Sequence, residues 1–171
     1  MTILREHFQD LTYIELMATG TPASAFSAAL TLINNESSTW ILAPGLAALP
    51  SLNPETLLVC APSIREAYWA TEQVLRSGTI KTAALVLNQP YDLIQSRRFK
   101  LATEAKGASL IVILPSSFQS FSSAAQERWH IAPKKPQEHH LPLSHWKQIK
   151  NKKGSLSELK VEGYAPTLSV V

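Results

Sequence analysis

Three groups of residues in the 171-residue chain carry side chains that could do chemistry. The first is Ala18 to Ala25 (ATGTPASA), which follows one apolar run and precedes a helical one, where a phosphate-binding loop would stand. Such a loop needs several glycines for close backbone approach, a lysine for the β- and γ-phosphates and a Ser or Thr for magnesium. Here Gly20 stands alone, no lysine occurs between Arg5 and Arg65, and Pro22 removes a backbone donor. The second group is His130, His139, His140 and His145. Adjacent histidines point apart in most backbones and only Glu138 joins them, so a polar loop explains them better than a metal site. The third is Cys60, which closes an apolar run with no basic neighbour on its own segment and reads as a small buried residue. As the single cysteine it also excludes an internal disulfide and a Cys-rich zinc module. No Ser sits in a nucleophile elbow, and Glu55, Glu66, Asp92 and Glu104 show no paired spacing. No catalytic residue, cofactor or metal is expected.

What remains is binding. The net charge is only +3, but eight of the sixteen basic residues fall between Arg128 and Lys160, against Glu138 and Glu158 alone. Such a tail suits phosphates, anionic lipid or an acidic protein, or serves as a solvated surface. Trp129 and Trp146 with Lys147, Lys150, Lys152 and Lys153 form the candidate partner surface there. The two tryptophans can stack on bases or pack a terminal hairpin. A second candidate is Gly45 to Leu52 (GLAALPSL), where Leu46, Leu49 and Leu52 crowd a segment too short to bury all three.

The elements that must position these residues follow from hydrophobic pattern. With 45% hydrophobic and 17% charged positions the chain is globular, and its length fits one domain. Thr12 to Met17, Thr39 to Ala43, Thr56 to Cys60, Lys81 to Leu87 and Ser109 to Leu114 read as strands. Their continuous apolar runs predict a parallel sheet covered on both faces. Ser24 to Ile33, Ile64 to Arg76 and Leu93 to Lys106 read as helices. Ser63 with Glu66 makes a capping box, and Gly78 and Gly107 are the expected stops. Ser116 to Ser123 reads as a Ser-rich mobile loop, and Arg128 to Ala132 as an edge strand. Ser144 to Asn151 and Glu158 to Gly163 read as an added antiparallel hairpin. The expected architecture is α/β: one domain over 1–171, with a core of about 12–132 and a basic C-terminal hairpin or tail from about 133. The charged N-terminus (MTILREHFQDL) and the lack of a long apolar run predict a cytoplasmic protein with no membrane contact.

Tyr13 to Ile33 (YIELMATGTPASAFSAALTLI) resembles the first strand, phosphate loop and helix of the RecA-like core, with Ala23, Ser24 and Ala25 where that core keeps Gly, Lys and Thr. Glu72 to Gly78 (EQVLRSG) and Arg97 to Gly107 (RRFKLATEAKG) followed by SLIVIL resemble the ImuA and SulA branch of that superfamily. The likeness spans about residues 12 to 163. It implies a RecA-like core whose mostly parallel, doubly wound sheet binds proteins in the bacterial DNA-damage (SOS) response, with no ATPase activity. SulA-type members sequester the division protein FtsZ, whereas ImuA-type members serve translesion synthesis and engage RecA and the polymerase-like ImuB. The short stretch after Trp40 (APGLAALPSLNPE) lacks the basic and aromatic residues of the SulA type, and the tail hairpin is more like ImuA. The length suits SulA. An ImuA-type accessory is the leading expectation, SulA-type inhibition the alternative, and a weak DNA-binding module the third; a homodimer stays open.

Overall fold

In the computed structural model, residues 8, 10–19, 23–33, 37–46, 56–118, 120–134, 143–152 and 154–162 are described. The strands are β1 (Tyr13–Ala18), β2 (Ser38–Leu42), β3 (Leu57–Cys60), β4 (Thr82–Val86), β5 (Ser109–Pro115), β6 (Glu127–Lys134), β7 (Leu143–Asn151) and β8 (Glu158–Glu162). The helices are α1 (Ala23–Ile33), α2 (Ile64–Ser77) and α3 (Leu93–Lys106). All eight strands join one sheet in the order β3-β2-β4-β5-β1-β6-β7-β8. The pairs up to β6 are parallel, and β6–β7 and β7–β8 are antiparallel. The chain is therefore α/β with a mostly parallel sheet and an antiparallel C-terminal extension of that sheet.

Local signals explain the elements. Ser63 caps α2, its hydroxyl accepting from the Glu66 amide at 3.2 Å and donating to the Glu66 carboxylate at 2.9 Å. Gly78 and Gly107 close α2 and α3 in left-handed conformation, φ 72° and 69°, which costs any residue with a Cβ. β1 is buried along its whole length because helices or loops cover both faces. On one face α1 packs with Phe26, Trp40, Leu16, Trp129 and Trp146. On the other, α2 and α3 pack Leu75 and Phe99 against Tyr13, Leu85, Leu110 and Val112. The register Ala84↔Ile111 and Val86↔Ile113 joins β4 to β5.

Two expectations are corrected here. β6 is no edge strand: it lies between β1 and β7, in parallel pairing with β1 that periodicity cannot foresee. The Ser-rich stretch is tied down as well. Ser116–Phe118 forms a single 3-10 turn, and Phe121, Ser123 and Ala124 are bonded to neighbouring elements described below. No described helix is long and apolar enough to cross a membrane.

Candidate functional site

The most polar constellation lies inside the protein. β1 places Glu15 on the α2–α3 side of the sheet, fully buried, and β6 places Arg128 beside it, 4% exposed. Arg128 Nε donates to Glu15 Oε2 at 2.6 Å, while its other nitrogens donate to the Phe121 carbonyl at 3.0 Å and the Ser123 hydroxyl at 3.2 Å. The guanidinium also stands 4.2 Å from the Phe121 ring centre.

The second carboxylate oxygen of Glu15 accepts from the Tyr91 hydroxyl. Tyr91 must then accept from Tyr13, and Tyr13 from Ser96 at 3.0 Å, so three hydroxyls polarise in one direction toward the carboxylate. Burial pushes both tyrosines well above the ordinary phenol range, with the Glu15 charge adding to it. They act as hydrogen-bond donors, not as bases.

A β-bulge completes the cluster. Arg128 faces Lys150 whereas Trp129 faces Gln148, so Ile149 is one residue too many on β7. The shift brings Lys150 over Ser123, whose carbonyl and hydroxyl accept from Nζ at 2.7 and 2.9 Å. Partial burial lowers the Lys150 amine to about 8, with Arg128 and Lys152 lowering it further and Glu15 opposing. Lys152 Nζ donates to the Ala124 carbonyl at 2.8 Å, and the Ala124 amide donates to Ser96 at 2.6 Å. The network thus clamps the 121–126 segment between β1, α3 and β7. The arrangement positions backbone; with Glu15 wholly enclosed, no solute reaches it in this conformation. Sequence reasoning passed over these residues, though one signal was legible: Glu15 is a lone carboxylate inside an apolar strand (YIELMA).

The residues singled out from the sequence end up in different places. Trp129 and Trp146 are core residues, not a partner surface. They pack edge to face at 6.4 Å, with Phe8 at 5.6 and 6.0 Å, and Trp129 Nε1 donates to Glu127 at 2.8 Å. An alternating strand buries one face once β7 adds to the sheet, and that face carries both indoles. Lys147 remains exposed, 3.9 Å from Glu158, while Lys150 and Lys152 bond to the 121–126 segment. Leu46 is half-buried against both core faces. Lys153, Leu49, Leu52, His139 and His140 lie outside the described residues. Cys60 is exposed at the end of the outer strand β3 rather than buried.

At the C-terminal edge of β1, where ligands bind in parallel α/β sheets, the Thr19 hydroxyl meets His130 Nε2 at 2.6 Å. Burial lowers the His130 pKa, and Lys147 and His145 add to the effect. Among the described residues no three His, Cys, Asp or Glu side chains converge as a metal site.

No protein-family model matches the sequence, and no curated protein matches it significantly. Solved structures do. The fold is similar to that of SulA. The crystal structure of SulA from Pseudomonas aeruginosa superposes with a TM-score of 0.50 at 20% identity, covering 98% of that chain and 60% of this one. The likeness to SulA is one of fold, and two fifths of this chain lies outside it.

Proposed function

We propose that the protein works by binding another protein, as a SulA-type inhibitor that withholds the division protein FtsZ from assembly. The observation that carries this reading is the fold likeness to SulA, which takes in nearly the whole of that chain. The sequence of the loop after β1 supports it, because one glycine, a proline and no lysine leave little to hold a nucleotide's phosphates. On this reading the chain is no ATPase and its activity is stoichiometric.

Sedimentation of purified FtsZ with GTP tests the proposal. The pelleted polymer should fall in proportion to added protein, and calorimetry with millimolar ATP or GTP and magnesium should show no heat of binding. Unchanged polymer at several-fold excess overturns the reading. A second reading, an ImuA-type accessory of translesion synthesis that binds RecA or an ImuB-like protein, draws support from the antiparallel β7–β8 extension. Co-purification with those proteins, FtsZ assembly being unaffected, would favour it.

A further inference from the structure

Helices α2 and α3 run side by side in the same direction, because each returns the chain across the same face of the parallel sheet. Their inner stripes are core. Their outer sides are polar, as on a solvated helix, but are interrupted by large apolar side chains. On α2 the stripe is Arg65, Trp69, Glu72 and Arg76, spaced four, three and four residues apart, with Glu72 buried on the flank toward α3 and the other three exposed. On α3 it is Ile94, Arg98, Leu101 and Ala105, with the same spacing. Trp69, Ile94 and Leu101 are 62%, 72% and 60% exposed.

The two stripes are joined at their centre. Glu72 accepts from Gln95 at 2.8 Å and pairs with Arg98 at 2.9 Å. Trp69 lies one turn before Glu72, and Ile94 and Leu101 lie one turn either side of Arg98, so the three large apolar side chains border that bridge. Isolated exposed apolar residues are ordinary, but three around one inter-helix bridge make a contiguous candidate for docking.

The charge around the trough says what it fits. The acids are engaged: Glu66 and Asp92 in the caps of α2 and α3, Glu72 with Arg98, and Glu104 with Lys100 at 3.4 Å. Arg65, Arg76 and Arg97 have no such carboxylate among the described residues. A second copy of this chain would set arginine against arginine, which opposes self-association here.

We infer that the α2–α3 trough docks an amphipathic helix of a partner protein, with acidic residues flanking its apolar face. Two parallel helices offer a groove for a third, whose anchors recur at i, i+3, i+4 and i+7 and fill the space between Trp69, Ile94 and Leu101. Its carboxylates reach Arg65, Arg76 and Arg97. The inference rests on the protein-binding reading and moves the contact surface from the basic tail to this helical face.

Trp69 also supplies the readout, since Trp40, Trp129 and Trp146 are all buried. The probes are two synthetic helical peptides with the same leucine face, one flanked by glutamates and the other by lysines. The glutamate peptide should shield Trp69 of the full chain from acrylamide, and more weakly as salt rises. The lysine peptide should not. The double variant Ile94→Glu, Leu101→Glu should bind the glutamate peptide at least tenfold more weakly while keeping the wild-type urea midpoint, because both side chains are exposed. Equal binding of both peptides, or no shielding by either, overturns the inference. FtsZ sedimentation separates the two readings: if the double variant still suppresses polymer fully, the trough is not the contact while the inhibitor reading stands. If the wild type leaves polymer unchanged, the inhibitor reading falls and the peptide titration alone judges the trough.

Discussion

Replacing Glu15 by Gln isolates the term that organises the polar core. The charge of Arg128 would then remain buried without the Glu15 carboxylate, with the Phe121 carbonyl, the Ser123 hydroxyl and the Phe121 ring still against it. Charge centres about 4 Å apart at an effective dielectric of about 20 attract by about 4 kcal/mol. Measured losses on removing one partner of a buried pair run at about 3–5 kcal/mol. A domain stable by about 5–15 kcal/mol keeps only a modest margin after that loss. Urea unfolding of Glu15→Gln should therefore show a much lower midpoint with an unchanged slope. The double variant Glu15→Leu, Arg128→Met should recover most of the loss, because it removes both charges and fills the space with apolar atoms. A single-variant effect within a few tenths of a kcal/mol, or a double variant whose loss equals the sum of its singles, would refute the reasoning.

Trp146→Ala should cost about 3–5 kcal/mol in urea unfolding through lost burial against Trp129 and Phe8; a surface tryptophan would lose far less. Ile111→Ala, in a strand covered on both faces, should cost about 2–5 kcal/mol by the same measurement. Stability should also follow pH in a stated direction. Lys150 is held at about 8 in the fold and near 10.5 unfolded, so the unfolded chain binds the extra proton between those values. Stability should rise with pH from about 8 to about 10, then fall above about 10 as unfolded tyrosines ionise while Tyr13 and Tyr91 stay protonated. Thermal melts of Lys150→Met across this range should lack the rise.

Where structure is decided locally, sequence reasoning reached it. The capping box at Ser63, the two left-handed glycines and the apolar runs gave α2, α3, β4 and β5 to within a residue or two. Failure came where a partner far along the chain decides. Glu15 and Arg128 lie 113 positions apart, and nothing in either segment marks the other as its counter-ion. The same holds for β6, taken as an edge until its pairing with β1 is seen. In α3 the pattern misled for a different reason. Phe99 is buried and Ile94 exposed, because apolar residues occupy both faces of that helix. Periodicity reports that a helix forms; it does not say which of two apolar faces the sheet will take. The tail misled through composition: its lysines are plain in the sequence, but two of them serve the 121–126 segment.

The place of β1 in the sheet has a consequence for how the protein is made. Its first strand is a central one, and both of its neighbours, β5 and β6, come late. At ~5–20 residues per second, β1 waits roughly 5–20 s on the ribosome for the first of them to be synthesised. During that interval an apolar strand with two open edges is exposed, a substrate for chaperones and proteases. Synthesis halted before Glu127 leaves Glu15 without its arginine and β1 without its second neighbour. The working molecule therefore arrives late and whole, with a delay between the start of translation and the first competent copy.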